Sequence, residues 1–373
     1  MKITFVIPSI GCGGAERVLV SLASGFIQHG YDVTVVTLST KDGDFYQLPS
    51  GCSRLALGIL GSSTGITEAI SNNIRRVSVL RQGISSTTPD LVVSFLRITN
   101  ITTILALLGS KYPLIVTEHN DLGSFSYGAI WETLRRLTYP FCTSIVSVSK
   151  GVDQGFAFIP EAKRAVIYNP ILVRDGGTVD QLPPQVDHHQ NWLVSMGRLT
   201  KQKRFDLLLH AFSQIATQHS NWQLLILGKG ELEGELLAMR DELGLSGRVV
   251  FTGALSNPFS VLRQAKLFVM ASENEGFPMA HGEALACGLP VVCTDCPSGP
   301  REMIRQDVDG LLVPNRDVSA LAKAMDSLMA DEPKRSSFAT RAPEVLERFG
   351  LEATVAEWEI LIDKLVEQQI DDL

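Results

Sequence analysis

The sequence predicts an α/β protein built twice over, two doubly wound parallel-sheet domains in one chain of 373 residues. Three observations carry this. The chain is too long for a single compact core, and domains of ordinary size divide it into two. Short apolar runs rich in valine and isoleucine alternate with amphipathic segments, the pattern of a parallel sheet with helices on both faces. A polar, aperiodic stretch from Arg174 to Asn191, with Gly-Gly, Pro-Pro and His-His pairs, interrupts that alternation and reads as an interdomain linker.

Composition narrows the function. An apolar content of 45% is that of a packed globular protein, not a disordered one. The net charge of −7 argues against nucleic acid as a partner. Residues 1–169 nevertheless carry 14 lysines and arginines against 11 acidic residues, so the first half could face anionic lipid or a phosphorylated acceptor. No apolar run reaches the roughly 18 residues of a membrane span. The run Ile3–Ile7 is too short for a signal-peptide core, so the expected location is cytoplasmic. Of six cysteines, Cys293 and Cys296 form a lone CxxC; without further ligands nearby, reduced cysteines acting as small hydrophobes are the simpler reading than zinc.

In the first half the predicted strands are Ile3–Ile7, Val33–Thr37, Leu91–Ser94, Leu114–Val116 and Ser144–Val148. Ligands bind beyond the C-terminal ends of such strands, so chemistry is sought there. After the first strand comes Gly11-Cys12-Gly13-Gly14-Ala15-Glu16, then a helix from Arg17 to Gln28. Glycines there let a backbone approach a ligand; a plain tight turn is the alternative. A dinucleotide loop is excluded on two counts. Glu16 occupies the third glycine position, and no acidic residue closes the second strand. Asp42-Gly43-Asp44 and Asp307-Val308-Asp309 could suggest a metal-diphosphate pair, but both sit in turn chemistry and read as solvated turns. Thr67–Ile84 is a predicted helix with Ile70, Ile74, Val77, Leu80 and Ile84 on one face and Arg75, Arg76 and Arg81 beside it. Tyr127–Phe141 mixes Trp131, Tyr139 and Phe141 with Arg135 and Arg136, which suits a membrane surface, an acceptor pyrophosphate or an ordinary helix with solvated arginines. The fourth run leads into Thr117-Glu118-His119-Asn120, which puts His119 at a strand end. Asn169-Pro170 closes the domain.

The second half opens with the strand Trp192–Met196 and the turn Gly197-Arg198-Leu199-Thr200-Lys201-Gln202-Lys203, followed by a helix with Phe205, Leu208, Leu209, Phe212 and Ile215 on one face. Two fixed cations at a strand end, Arg198 and Lys203, suit a diphosphate; a solvated basic turn is the alternative. The strands Gln223–Leu227 and Val249–Gly253 run into Gly228-Lys229-Gly230 and Asn257-Pro258. Then comes Ala271–Thr294, the most informative stretch. Glu275-Gly276-Phe277-Pro278 forms a loop, Pro278 suits the first position of a helix, Gly288 suits its C-terminal cap, and Val291–Cys293 is a strand. Glu275 and Glu283 bracket a helix start whose free N–H groups can bind phosphate. A phosphate anchor between two carboxylates suits a nucleotide-sugar, one glutamate accepting from sugar hydroxyls and the other from ribose. Leu351–Val366 ends the chain as an amphipathic helix.

The pattern S-x-x-E-G-x-P…E-A-x-A-x-G-x-P-V-V, with G-G-A-E-R after the first strand, His119 after the fourth run and G-R-L-x-x-x-K after Met196, resembles the retaining glycosyltransferases of family 4 (group 1) over most of the chain. The resemblance implies a GT-B fold, two Rossmann-like domains facing across a cleft with the C-terminal helix crossing back to the first. The implied boundaries are an acceptor-side domain 1–170, a linker 171–191, a donor domain 192–350 and a crossover helix 351–373. It implies catalytic roles for Glu275 and His119, the latter hydrogen-bonding the sugar rather than acting as a general base. It implies donor binding by Gly13, Gly14, Arg198, Lys203, Gly276, Phe277, Pro278 and Glu283. Family members often carry bulkier apolar residues at His281-Gly282, and a mid-helix glycine costs about 1 kcal/mol against alanine. Gly282 therefore serves close packing or shapes the sugar pocket.

The implied reaction is retaining transfer from a nucleoside-diphosphate sugar, a UDP-sugar in the first instance, to a glycan or polyprenyl-diphosphate-linked acceptor, without metal or other cofactor. Attack on the face the leaving group departs from is implied, since no carboxylate stands out as a nucleophile. The setting is synthesis of a surface polysaccharide or glycoconjugate, with possible peripheral contact at the inner face of the membrane and no nucleic acid. Two other readings stay open at this stage: an epimerase or phosphorylase-like enzyme on the same fold, and a non-catalytic nucleotide-sugar-binding subunit.

Overall fold

The computed structural model describes residues 1–61, 66–119, 128–173 and 181–371, without the side chains of 66–70 and 368–371. Asn120, Tyr127 and residues 174–180 of the expected linker lie outside the described residues. The chain divides into two compact units, Met1–Pro170 with Leu351–Leu373, and Ile171–Gly350.

In the first unit the order is β1 (Lys2–Ile7), α1 (Gly14–Gln28), β2 (Asp32–Thr37), β3 (Ser53–Ala56), α2 (Ile66–Ser86), β4 (Leu91–Phe95), α3 (Arg97–Leu107), β5 (Leu114–Glu118), α4 (Ala129–Thr138), β6 (Ser144–Ser147), α5 (Lys150–Gln154) and β7 (Arg164–Val166). All seven strands are parallel, in spatial order β3-β2-β1-β4-β5-β6-β7. Strands β4, β5 and β6 are buried along their whole length, which is why they read as unbroken apolar runs rather than alternating ones. Phe5 on β1 holds the core, 6.0 Å from Phe26 of α1 and edge-on to Phe95 of β4 at 5.6 Å. In α2 the expected apolar face is covered over only part of its length. Leu80 and Ile84 are fully buried, but Ile74 is 66% exposed.

The second unit repeats the plan: β8 (Asn191–Met196), α6 (Phe205–Ile215), β9 (Trp222–Leu227), α7 (Glu233–Glu242), β10 (Val249–Gly253), α8 (Phe259–Leu262), β11 (Leu267–Met270), α9 (Met279–Ala286), β12 (Val291–Asp295), α10 (Pro300–Met303), β13 (Gly310–Pro314), α11 (Val318–Ala330), α12 (Glu332–Arg341) and α13 (Val345–Phe349). Its six parallel strands run β10-β9-β8-β11-β12-β13. Residues from 181 onward pack onto this unit: the Asp187 backbone N–H donates to Gln223 Oε1 at 2.9 Å, and Trp192 Nε1 donates to the Asp187 carbonyl at 2.9 Å. In both sheets the strand order reverses beside the first strand of the unit. That switch point, at the C-terminal strand ends, is where ligands bind in such folds.

The last helix, α14 (Leu351–Asp371), returns to the first unit and packs on α1. Trp358 meets Phe26 edge-on at 6.3 Å. Gly25 permits the approach, since a Cβ there would stand 2.5 Å from Val355. No helix among the described residues is long and apolar enough to cross a membrane.

Three local expectations change. Asp309 is not solvated: it is fully buried and accepts from the Arg305 backbone N–H at 2.8 Å and from Arg305 Nε at 2.6 Å. Asp44 pairs with Arg54, so its turn is anchored as well. Pro278 is the N-cap of α9 rather than its first residue, and Gly288 closes the C-terminal end at φ +79°.

Candidate active site

Topology brings together loops far apart in sequence. The loop after β8 carries Arg198 and Lys203, and the loop after β11 carries Ser272–Pro278. β8 and β11 are neighbours at the switch point of the second sheet. There Lys203 Nζ donates to Glu275 Oε1 at 2.6 Å, with both side chains largely buried. Burial opposes ionisation of Glu275, but the charge and hydrogen bond of Lys203, with smaller help from Ser272 and His281, carry its carboxyl below the ordinary range. Arg198 is exposed at the end of β8 and forms no ion pair with a described residue. An ionised carboxylate, a buried ammonium and an open guanidinium thus share one strand-end region.

The Ser272–Pro278 loop is held by residues that the sequence did not mark. Gln202 Nε2 donates to the Asn274 carbonyl at 2.9 Å, and Asn315 Nδ2 donates to the Glu273 carbonyl at 2.9 Å. Thr294 Oγ1 donates to the Ser272 carbonyl at 2.6 Å, and Ser298 Oγ donates to the Glu275 carbonyl. Gly299, at φ +91°, closes the loop from the other side, where a Cβ would stand 2.6 Å from Pro278 Cδ and 3.1 Å from the Gly276 carbonyl. Arg204, a non-glycine residue at φ +48°, follows Lys203, and its side chain bonds Asp206 at 2.9 Å and approaches Glu273 at 3.6 Å. Such backbone strain persists where surrounding contacts over-determine it. Apart from the local Arg204–Asp206 pair, these partners lie tens of residues away in sequence, and no local pattern announces them.

Gly276 and Pro278 belong to this loop, and Phe277 is buried against Phe349 with ring centroids 5.4 Å apart. Glu283 is buried within α9. His281, one turn into α9, is fully buried edge-on to Phe268, and neither ring nitrogen has a hydrogen-bond partner; burial pushes its pKa down to about 4. Gly282 resolves to packing: a Cβ would stand 2.3 Å from Ile171 Cδ1. The loops after β8 and β9 are stitched together by backbone. The Leu199 N–H donates to the Lys229 carbonyl at 3.0 Å, and a Cβ at Gly228 would lie 1.9 Å from the Gly197 carbonyl.

The first unit holds the other candidates at its own switch point. Gly13 is the N-cap of α1, extended and without a side-chain cap, and Gly14 is exposed with open space around it. The first turn of α1 therefore stands at the end of β1, with the Glu16 carboxylate folded back over Gly13. His119 follows β5. Its ring stacks on Phe95 at 5.7 Å and 22°, and Nε2 lies 3.1 Å from Thr117 Oγ1. Burial pushes its pKa down to about 4, so the ring is neutral at physiological pH. Beneath it, the buried carboxyl of Glu118 is raised above its ordinary range by burial and accepts from Tyr139, whose hydroxyl also takes Asn100 Nδ2 at 3.2 Å. Among the described residues no group of three or more His, Cys, Asp or Glu side chains gathers as a metal site.

Solved structures share this architecture over nearly its whole length. A lipopolysaccharide outer core galactosyltransferase, WaaB, aligns over 98% of this chain and 99% of its own with a TM-score of 0.75 at 22% identity. Anabaena HepE, solved in complex with UDP, aligns over 98% and 100% with a TM-score of 0.76 at 18% identity. The fold is GT-B, and the class is that of the GT-B glycosyltransferases. Residues 12–174 match the Glycosyltransferase Family 4 profile and residues 181–345 the Glycosyl transferases group 1 profile. The protein belongs to the group 1, family 4 glycosyltransferases. Among its relatives, an α-1,4-N-acetyl-D-galactosaminyltransferase of Campylobacter jejuni that acts on a diphospho-undecaprenol-linked glycan is 29% identical over 97% of this chain and 98% of its own. The lipopolysaccharide 1,6-galactosyltransferase of Salmonella typhimurium is 27% identical over 77% and 78%.

Proposed function

We propose that the protein transfers a sugar with retention from a nucleoside-diphosphate sugar, a UDP-sugar in the first instance, to a polyprenyl-diphosphate-linked glycan in the synthesis of a bacterial surface polysaccharide or glycoconjugate. The observation that carries this reading is the Lys203–Glu275 pair at the switch point of the second sheet, with Arg198 open beside it. Departure of the nucleotide leaves an oxocarbenium-like sugar and a diphosphate carrying added charge. Lys203, Arg198 and the N–H groups at the start of α9 stabilise that charge. Glu275, kept ionised, orients sugar hydroxyls; Glu283 serves the ribose; Gly13 and Gly14 meet the donor by their backbone; His119 hydrogen-bonds the sugar. With fixed cations in this role, the reaction proceeds without a divalent metal. Relatives that use undecaprenol-linked and lipopolysaccharide acceptors support the acceptor class.

The test is nucleotide release from UDP-, GDP- and ADP-sugars in the presence of chelator, with and without lipid-linked acceptor extract. The expected result is release from one donor, raised by extract and lowered by roughly a hundredfold or more in Glu275→Ala and Arg198→Ala. An epimerised nucleotide-sugar without acceptor, or nucleotide binding with no turnover, would overturn it.

A second element of this reading is peripheral membrane contact. On α4 and the turn after it, Ile130, Leu137 and Phe141 are 76%, 63% and 68% exposed, with Arg136 beside them. Ile130 and Leu137, seven residues apart, share one face of α4, and Phe141 follows in the turn after it. Such a face rests in a headgroup layer and brings the enzyme to a lipid-linked acceptor. Co-sedimentation with anionic vesicles is expected to fall in Ile130→Ser/Leu137→Ser/Phe141→Ser while release from free donor is unchanged.

A further inference from the structure

The surroundings of His119 determine which ring nitrogen carries its proton. Thr117 Oγ1 is buried at the end of β5 and donates its single hydrogen to the Ser94 carbonyl at 3.0 Å. A hydroxyl has one hydrogen, so toward His119 Nε2, 3.1 Å away, it can only accept. Nε2 therefore bears the hydrogen, and in the neutral ring Nδ1 keeps a bare lone pair. The Phe95 ring, stacked at 22°, fixes the plane in which that lone pair points. Nδ1 has no hydrogen-bond partner among the described residues. Burial disfavours a second proton on the ring, so the lone pair persists through the physiological range.

We propose that Thr117 is a positioning residue that locks His119 in its Nε2–H tautomer, making Nδ1 a standing hydrogen-bond acceptor, and that the donor-sugar group it meets is a hydroxyl or amide N–H, not a carboxylate. The second half rests on the reading of His119 as a donor-sugar contact; the tautomer does not. A hydroxyl or acetamido N–H presents a hydrogen to Nδ1. A uronate carboxylate presents lone pairs to a lone pair, and only protonation of the buried ring relieves that. Where the donor sugar turns its C6 substituent toward Nδ1, the site takes the hexose and rejects the matching hexuronate.

Long-range 1H–15N correlation of the 15N-histidine-labelled protein at pH 7 reads the tautomer directly, with the His119 signals assigned by their loss in His119→Gln. The expected pattern is a protonated Nε2 and a bare Nδ1. In Thr117→Val it moves toward the other tautomer, and Thr117→Ser restores it. Nδ1–H or a doubly protonated ring in the unmodified protein, or no change in a folded Thr117→Val, overturns the lock. In the release assay a nucleoside-diphosphate hexose is compared with its matching hexuronate. The expected kcat/KM is roughly a hundredfold lower for the hexuronate. Equal use of both, with the tautomer as stated, overturns the specificity claim alone. If the hexuronate is rejected but His119→Gln alters neither substrate, the donor-contact role of His119 fails and the tautomer stands.

Discussion

Gly282 shows how much one missing methyl group decides. As a helical residue it costs about 1 kcal/mol against alanine, so Gly282→Ala gains that much from local propensity. The added Cβ would stand 2.3 Å from Ile171 Cδ1, and overpacking of this kind costs about 1–3 kcal/mol. Gly282→Ala is therefore expected to lower the urea midpoint rather than raise it. Lys203→Met leaves the Glu275 carboxylate buried without its ammonium, at a cost of about 3 kcal/mol, and the double variant Lys203→Met/Glu275→Gln is expected to regain most of it in chemical denaturation. His119 and His281 set an acid limit. Each is held neutral, with its pKa depressed from the ordinary 6.5 to about 4. Above 6.5 neither folded nor unfolded chain binds the proton, and stability is intact. As pH falls from about 6.5 to about 4 the unfolded chain takes up protons first, so stability is lost across that window. The measurable sign is a falling unfolding free energy from pH 6.5 to 4 whose slope is reduced in His281→Leu. At this scale the strand-end turns bearing Arg198, Lys203 and Glu275 were legible, because glycine and charged residues interrupt the apolar runs there. Ser298, Asn315 and Gln202 were not, because their hydrogen bonds reach across 23 to 72 residues.

Helix α14 is fastened to α1 by charge as well as by packing. His29 Nδ1 and Nε2 each lie 3.1 Å from a carboxylate, of Glu359 and Glu352, and these hydrogen bonds raise the His29 pKa above 6.5. Here the sign is opposite to that of the buried histidines. The contribution is fully present below the unfolded value near 6.5 and is lost as pH rises through the folded value. The protection of α14 amides, relative to their intrinsic base-catalysed exchange, is expected to fall as pH rises above 6.5, and to lose that dependence in His29→Gln. The central strands were legible because burial on both faces writes an unbroken apolar run. β3 was not, being a four-residue edge strand that is nowhere fully buried. Nor was α3, whose isoleucines and threonines favour strand over helix. The stripe on α2 was read correctly as helical, but periodicity reports that a face exists and not what covers it, so Ile74 shares the stripe and yet is exposed.

At the scale of the whole molecule, alternating runs implied parallel sheets, yet strand order is set by crossovers whose direction no local pattern records. The reversal beside β1 and beside β8 emerges only in three dimensions, and it is this that makes neighbours of the loops bearing Lys203 and Glu275. The second unit is one continuous span with its own core, built on Trp222, Phe212 and Leu209. A fragment of residues 171–350 is therefore expected to unfold cooperatively by itself. A fragment ending at Pro170 lacks α14, leaves Phe26 short of Trp358, and is expected to be markedly less stable or to bind an exposed-surface dye.

The bridge between Ile171 and Gly350, with the Ile171 N–H on the Phe349 carbonyl at 2.6 Å, brings the entrance and exit of that second unit side by side. A unit whose two ends meet is a cassette. It can be lifted out at one seam and another spliced in without lengthening either connection. Recombination in evolution and chimera-building at the bench would cut at the same place.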